Sequence, residues 1–197
     1  MLTAVCVFMG CSVTVAQKTD LSAKAKKLKQ LYLLVTKSTN SEIYEEQFFN
    51  EFPNTFKELN ELYGYEKDKP APLYYDGLEH IYELFNNLKS INDTLYYKKI
   101  VSIAKGARYD ADAVSYFQSG LRDKVLANPK LILFILKNKP EKEVIGFWSF
   151  YFDYENSSAR KKNYIELIKK IPAQNKNSIR FITAGYEKST KYWTNSH

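Results

Sequence analysis

Apolar residues recur three and four apart along most of this chain, the stripe that a 3.6-residue helix buries. Leu21, Ala25, Leu28, Leu31, Tyr32 and Val35 predict a first helix capped by Asp20. Ile43, Tyr44, Phe48 and Phe52 predict a second, opened by Ser41 and interrupted by Pro53. Phe56, Leu59, Leu62 and Tyr63 predict a third, and Gly64 is placed to end it. Residues 65–73 (YEKDKPAPL), with Pro70, Pro72 and alternating charge, predict the clearest loop, an extended linker and possible hinge.

Beyond the loop, Asp76 opens a helix whose face is Leu78, Ile81, Leu84, Phe85 and Leu88. Asp93 opens one with Tyr96, Ile100 and Ile103, ending at Gly106, and Asp110 or Asp112 caps one with Val114, Phe117, Leu121 and Val125. Asn128-Pro129 starts a helix through LILFIL, residues 131–136, whose all-round apolarity predicts a central, buried element. Pro140 begins the next, with Val144, Phe147, Trp148 and Tyr151. Ser157 or Ser158 precedes one with Tyr164, Ile165, Ile168 and Ile171, and Ser178 opens the last, with Ile179, Ile182 and Tyr186. About ten helices in hairpins, no alternating strand and no fixed repeat leave an all-α fold: an irregular helical bundle or a short α-solenoid.

The N-terminus departs from this pattern. Leu2 to Ala16 is an apolar run without a charged side chain, and Lys18 is the first charge. It is short for a spanning helix, which takes about 20 apolar residues. Thr14-Val15-Ala16 carries small residues where a signal peptidase reads, so residues 1–16 read as a signal peptide and 17–197 as a single all-α domain. Phe8-Met9-Gly10-Cys11 is a loose lipoprotein box, in which Cys11 would be lipidated and tether the protein to a membrane. Either reading predicts export to a periplasmic, outer-membrane-associated or extracellular site. Cys6 and Cys11 are the only cysteines, so cleavage after Ala16 leaves no thiol for a disulfide, a nucleophile or a thiolate metal site.

Composition narrows the chemistry. Sixteen Tyr and twelve Phe make the chain rich in aromatic rings, while seven Gly and six Pro argue against disorder. The net charge is +7, carried mostly by Lys; only four Arg are present, whereas bidentate phosphate recognition favours Arg. The expected partner is therefore an acidic protein, or a membrane surface reached through a lipid anchor, and not nucleic acid. No phosphate-binding glycine motif and no G-x-S-x-G elbow occurs, and no cofactor is expected.

Few residues remain as site candidates. Asp76, His80 and Glu83, at i, i+4 and i+7, share a helix face and are weak candidates for a divalent metal. A metal site needs convergence from a second element, and a partly exposed structural His reads as well. Asp110 and Asp112 miss the Gly and the acid that a calcium loop needs, so capping explains them better. FWSFYFDY, residues 147–154, with Trp148 and Tyr151 one turn apart, reads as core, as a partner surface or as a sugar platform. Tyr74 and Tyr75, near a loop and a helix start, are candidates for partner contact. Asn92-Asp93-Thr94 and Asn156-Ser157-Ser158 match the N-glycosylation pattern.

The FPNTFKELNELYGY stretch, the Lys/Asn/Tyr-rich helices and a leader ending in Val-Ala before Gln17 resemble small secreted all-helical proteins of unknown function from Bacteroidota-type bacteria. The resemblance implies a periplasmic or cell-surface location and carries no functional residues. The expected role is an exported, non-enzymatic, protein-binding helical module, with a periplasmic immunity-type protein as one version. The alternatives are a hydrolase using Asp76, Glu79, Glu83 or Asp153 in a helical cleft, and an envelope lipoprotein.

Overall fold

The computed structural model describes residues 10–38, 41–66 and 68–195, with side chains from Asp20 onward. Ten α-helices account for most of the described residues: α1 (Gly10–Lys37), α2 (Ser41–Glu51), α3 (Phe56–Tyr63), α4 (Gly77–Asn86), α5 (Asp93–Ala104), α6 (Ala113–Ala127), α7 (Pro129–Leu136), α8 (Glu141–Tyr151), α9 (Ser157–Lys170) and α10 (Lys176–Asn195). The expected loop at 65–73 contains a minimal antiparallel pair, β1 (Tyr65–Glu66) and β2 (Lys69–Pro70), followed by a 3₁₀ turn at Tyr74–Asp76. Asp68 turns that hairpin in the left-handed region, φ 61°. No described helix is long and apolar enough to cross a membrane.

Local chemistry explains several helix ends. Thr55 Oγ1 accepts from Glu58 N at 3.2 Å while Glu58 Oε2 accepts from Asn54 N at 3.2 Å, a variant of the capping box whose return bond falls one residue before the cap and which starts α3 beyond Pro53. At the other end the backbone N–H of Gly64 donates to Asn60 O at 2.8 Å, and a Cβ on Gly64 would lie 2.6 Å from that oxygen. Asn92, Asn128 and Asn156 cap α5, α7 and α9 through their side-chain oxygens. Three expected starts move, α10 beginning at Lys176 where Ser178 was expected to open it. Asn156, not Ser157 or Ser158, caps α9, and Asp20 lies inside α1, which already runs as helix from Gly10.

Helices pack mainly one place removed in sequence. α4 packs on α6, α5 on α7 and α8 on α10, and only α1 and α2 form an extensive neighbouring pair. This interleaving makes an irregular bundle, since a solenoid stacks each hairpin only on the next. Its centre is α8. Phe147, Trp148, Phe150 and Tyr151, with Phe152 just beyond the helix, are all at most 1% exposed. Gly185 lets α10 approach: a Cβ there would sit 2.4 Å from Trp148 Cβ and 2.7 Å from Trp148 C. The aromatic surplus of the sequence therefore goes largely to the core, where Phe48, Phe52, Tyr63 and Phe117 join the α8 rings.

Two expectations are corrected here. LILFIL is not central. Ile132, Ile135 and Leu136 are buried, but Leu131 and Leu133 are half-buried and Phe134 is 68% exposed. α7 packs against α5 and α6 with one side, and the other side is left open. Trp148 and Tyr151, offered as partner-facing rings, are buried where α8 packs on α10, at 1% and 0% exposed.

Candidate partner-binding groove

The open side of α7 forms one wall of a groove of about 760 Å³. Lys130, Leu133, Phe134 and Lys137 fall at i, i+3, i+4 and i+7, so helical geometry alone puts them on one face. Val144 and Trp148 of α8 line it as well. Its opposite side comes from the α9–α10 connection and the start of α10, including Gln174, Asn175, Lys176 and Phe181. Four lysines (Lys130, Lys137, Lys139 and Lys176) line this groove and no acidic residue does. Arg180 lies over the Phe181 ring at 4.4 Å and reaches Glu141 of α8 at 3.4 Å, an exposed pair that links α10 to the start of α8. The indole N–H of Trp148 has no hydrogen-bond partner, although a buried Trp usually finds one.

The surface is thus apolar inside and positive at its margin. Such an arrangement takes an apolar side chain by burial and an acidic neighbour by charge. It supplies no nucleophile paired with a base, and no carboxylate for acid–base work. Asp153 is buried and accepts from Tyr109 N and Trp193 Nε1, each at 2.8 Å, which ties α10 to the loop before α6. A hollow lined by Asp110 and Asp112 is only about 20 Å³, roughly room for one water.

Asp76, His80 and Glu83 share a helix face as expected but engage different neighbours. Asp76 pairs with Lys29 of α1 at 2.8 Å, Glu83 accepts from Asn87 Nδ2 at 2.7 Å, and His80 Nδ1 lies 2.9 Å from the Tyr63 hydroxyl. His80 is 1% exposed, with the rings of Tyr32, Phe48 and Tyr63 at 4.8, 5.7 and 5.8 Å. Burial pulls its pKa down to about 4; Asp76 opposes this in part and Lys29 adds to it. His80 is a neutral core residue. Among the described residues no group of three or more His, Cys, Asp or Glu side chains is arranged to hold a metal ion.

Tyr74 and Tyr75 do lie at the surface. Tyr74 donates to Asp112 Oδ2 at 2.7 Å, and this bond raises its pKa to about 12. Asp112 is not the side-chain cap of α6 that was expected; its oxygen serves Tyr74. Tyr75 is 82% exposed, and Leu78, Tyr82 and Tyr116 continue an apolar strip into a groove of about 450 Å³ between α4 and α6. Cys11 and the proposed cleavage site lie where side chains are not described, and residues 1–9 lie outside the described residues.

Sequence reasoning missed the lysine-lined groove. Half of its signal was present, because Lys130, Leu133, Phe134 and Lys137 form a basic-apolar face that is legible from spacing alone. The other half was not, because residues 174–181 meet α7 only after α8 and α10 have packed. No family model, no curated protein and no solved structure matches this chain.

Proposed function

We propose that this protein is an exported, non-enzymatic helical module that binds an acidic protein partner, and that the groove between α7 and the start of α10 is where the partner docks. The observation that carries this reading is a volume of about 760 Å³ lined by four lysines, no acid and an exposed Phe134. A segment that laid apolar side chains over Leu133, Phe134 and Phe181 would set its carboxylates against Lys130, Lys137, Lys139 and Lys176. An amphipathic acidic helix has that pattern. Burial would supply most of the affinity and the exposed lysines its specificity and on-rate. A periplasmic immunity-type protein, masking a toxin through such a segment, is the more specific form of the proposal.

Export is supported by the apolar, uncharged leader. Among the residues whose side chains are described, Leu21, Ala25 and Leu28 of α1 pack on the core. Cleavage after Ala16 would spare all of these. Mass spectrometry of the mature N-terminus separates the forms: a chain beginning at Gln17 is secreted free, and an acylated Cys11 marks a lipoprotein.

Docking is tested with a designed acidic amphipathic peptide, Leu at helical spacing and Glu elsewhere, against two controls: Gln for Glu, and Ser for Leu. Micromolar binding is expected, weakened by each control and by salt. Equal binding of all three peptides would refute the groove reading.

A further inference from the structure

The positive charge is segregated in the fold. Residues 157–197 hold nine Lys and Arg against two Glu, a net of +7. Taking these from the totals of 29 and 22 leaves twenty basic and twenty acidic residues in 1–156, a net of zero. The whole net charge therefore resides in α9, α10 and their short flanks. In the neutral part, several lysines pair with acids: Lys24 with Glu58, Lys27 with Glu51, Lys29 with Asp76, Lys105 with Glu143. Among the described ion pairs none involves Lys161, Lys162, Lys169 or Lys170.

α9 is held from its inner side. Leu167 is fully buried, and the buried Arg160 donates through Nη1 to the backbone oxygen of Tyr154. Its outer face presents Lys161, Lys162, Ile165, Glu166 and Lys169 around a shallow hollow of about 520 Å³. Every residue lining that hollow belongs to α9 itself, so no second element closes over a ligand.

We infer that the outer face of α9 docks on an anionic lipid surface. Three features favour lipid over a protein. Lys is depleted at protein interfaces and aromatic anchors are enriched, whereas this face is lysine-rich and its exposed apolar residue is the aliphatic Ile165. An open single-helix face gives a protein partner no shape to match. A field of headgroups needs none, because it attracts Lys through its summed surface potential. Finally, lysines act here as point charges without the bidentate geometry that marks recognition of one phosphate. The face is separate from the groove of the preceding section, and α9 contributes no residue to that groove.

The test is co-sedimentation of the full chain with vesicles of phosphatidylcholine alone or with about 30% phosphatidylglycerol. Binding is expected to the anionic vesicles only, falling at least tenfold when salt rises from about 50 to about 500 mM. Reversing Lys161, Lys162, Lys169 and Lys170 to Glu should weaken it by roughly a hundredfold or more. A charge-matched control reverses Lys37, Lys69, Lys89 and Lys98, all exposed and outside α9; it should retain most of the binding. Far-UV circular dichroism checks that both variants fold. Equal loss in the two variants would reduce the effect to net charge and overturn the assignment to α9. So would binding to phosphatidylcholine alone, or no vesicle binding at all. An α9 variant that kept its vesicles but lost the acidic peptide would assign the face to a protein partner instead, and the inference would fall.

Discussion

Lowering the pH from about 8 to about 4 loads a proton onto His80 in the unfolded chain long before the folded chain accepts one. The folded pKa is held at about 4 by burial, against 6.5 for the free side chain. Between these values the unfolded state binds more protons, so stability falls as pH falls. The contribution is fully present above 6.5 and is lost progressively toward 4. The gap of about 2.5, at about 1.36 kcal/mol per pH unit, amounts to roughly 3 kcal/mol. That is a large share of the 5–15 kcal/mol typical of a domain. Glu45 acts in a different range. Burial raises its pKa, but N–H groups of Ser90 and Lys89 more than offset this, so its loss begins only below the ordinary carboxylate value. Urea denaturation across the range, on the native chain and on His80→Asn, isolates the effect. Asn keeps a hydrogen-bonding group near the Nδ1 position that faces Tyr63. The variant should be less stable at pH 8, because it leaves a cavity, yet nearly independent of pH between 6.5 and 4.5. If both proteins lose stability in parallel over that window, His80 is not the group responsible and the reasoning fails.

Substitutions at three further positions test the packing. Gly185→Ala brings a methyl against Trp148 and its backbone, so α8 and α10 must separate. A loss of about 1–3 kcal/mol is expected in thermal or urea denaturation, and an unchanged midpoint would show that the contact is loose. Asp153→Ala strands Tyr109 N and the Trp193 indole and should cost about 2–3 kcal/mol, with Asp153→Asn intermediate because one acceptor oxygen remains; equal losses would contradict the two-bond account. Lys99 is nearly buried, donates to Phe52 O at 2.9 Å and sits 4.7 Å over Phe49. Burial, helped by Lys24, draws its pKa down to about 8. Its charged form burdens the folded state below about 8, and the burden disappears above 10.5. Lys99→Met should therefore gain about 1–2 kcal/mol at pH 7 and nothing at pH 11; a loss at pH 7 would mean that the Phe52 bond outweighs desolvation.

What could be read from the chain was local. Helical stripes, the Asn128-Pro129 start, the Gly64 stop and the Pro140 break all depend on neighbours within a few residues. The order in which helices pair was not legible, because α4–α6, α5–α7 and α8–α10 contacts skip the intervening element. Two misreadings followed from that. LILFIL looks central because its composition is apolar all round, yet α7 has neighbours on one side only. Trp148 and Tyr151 looked available because one turn of spacing defines a face without saying what covers it. His80 shows the same limit: its own helix offered Asp76 and Glu83, and its hydrogen-bond partner is Tyr63, on α3.

The central claim is the location of docking, and backbone amide chemical-shift mapping during titration with the acidic amphipathic peptide measures it most directly. The account predicts that the shifted amides fall on residues 130–139 and 174–181, and that Phe134→Ser together with Lys137→Glu abolishes the shifts. Shifts gathered instead around Tyr75, Leu78, Tyr82 and Tyr116, or spread evenly over the lysines, would contradict it.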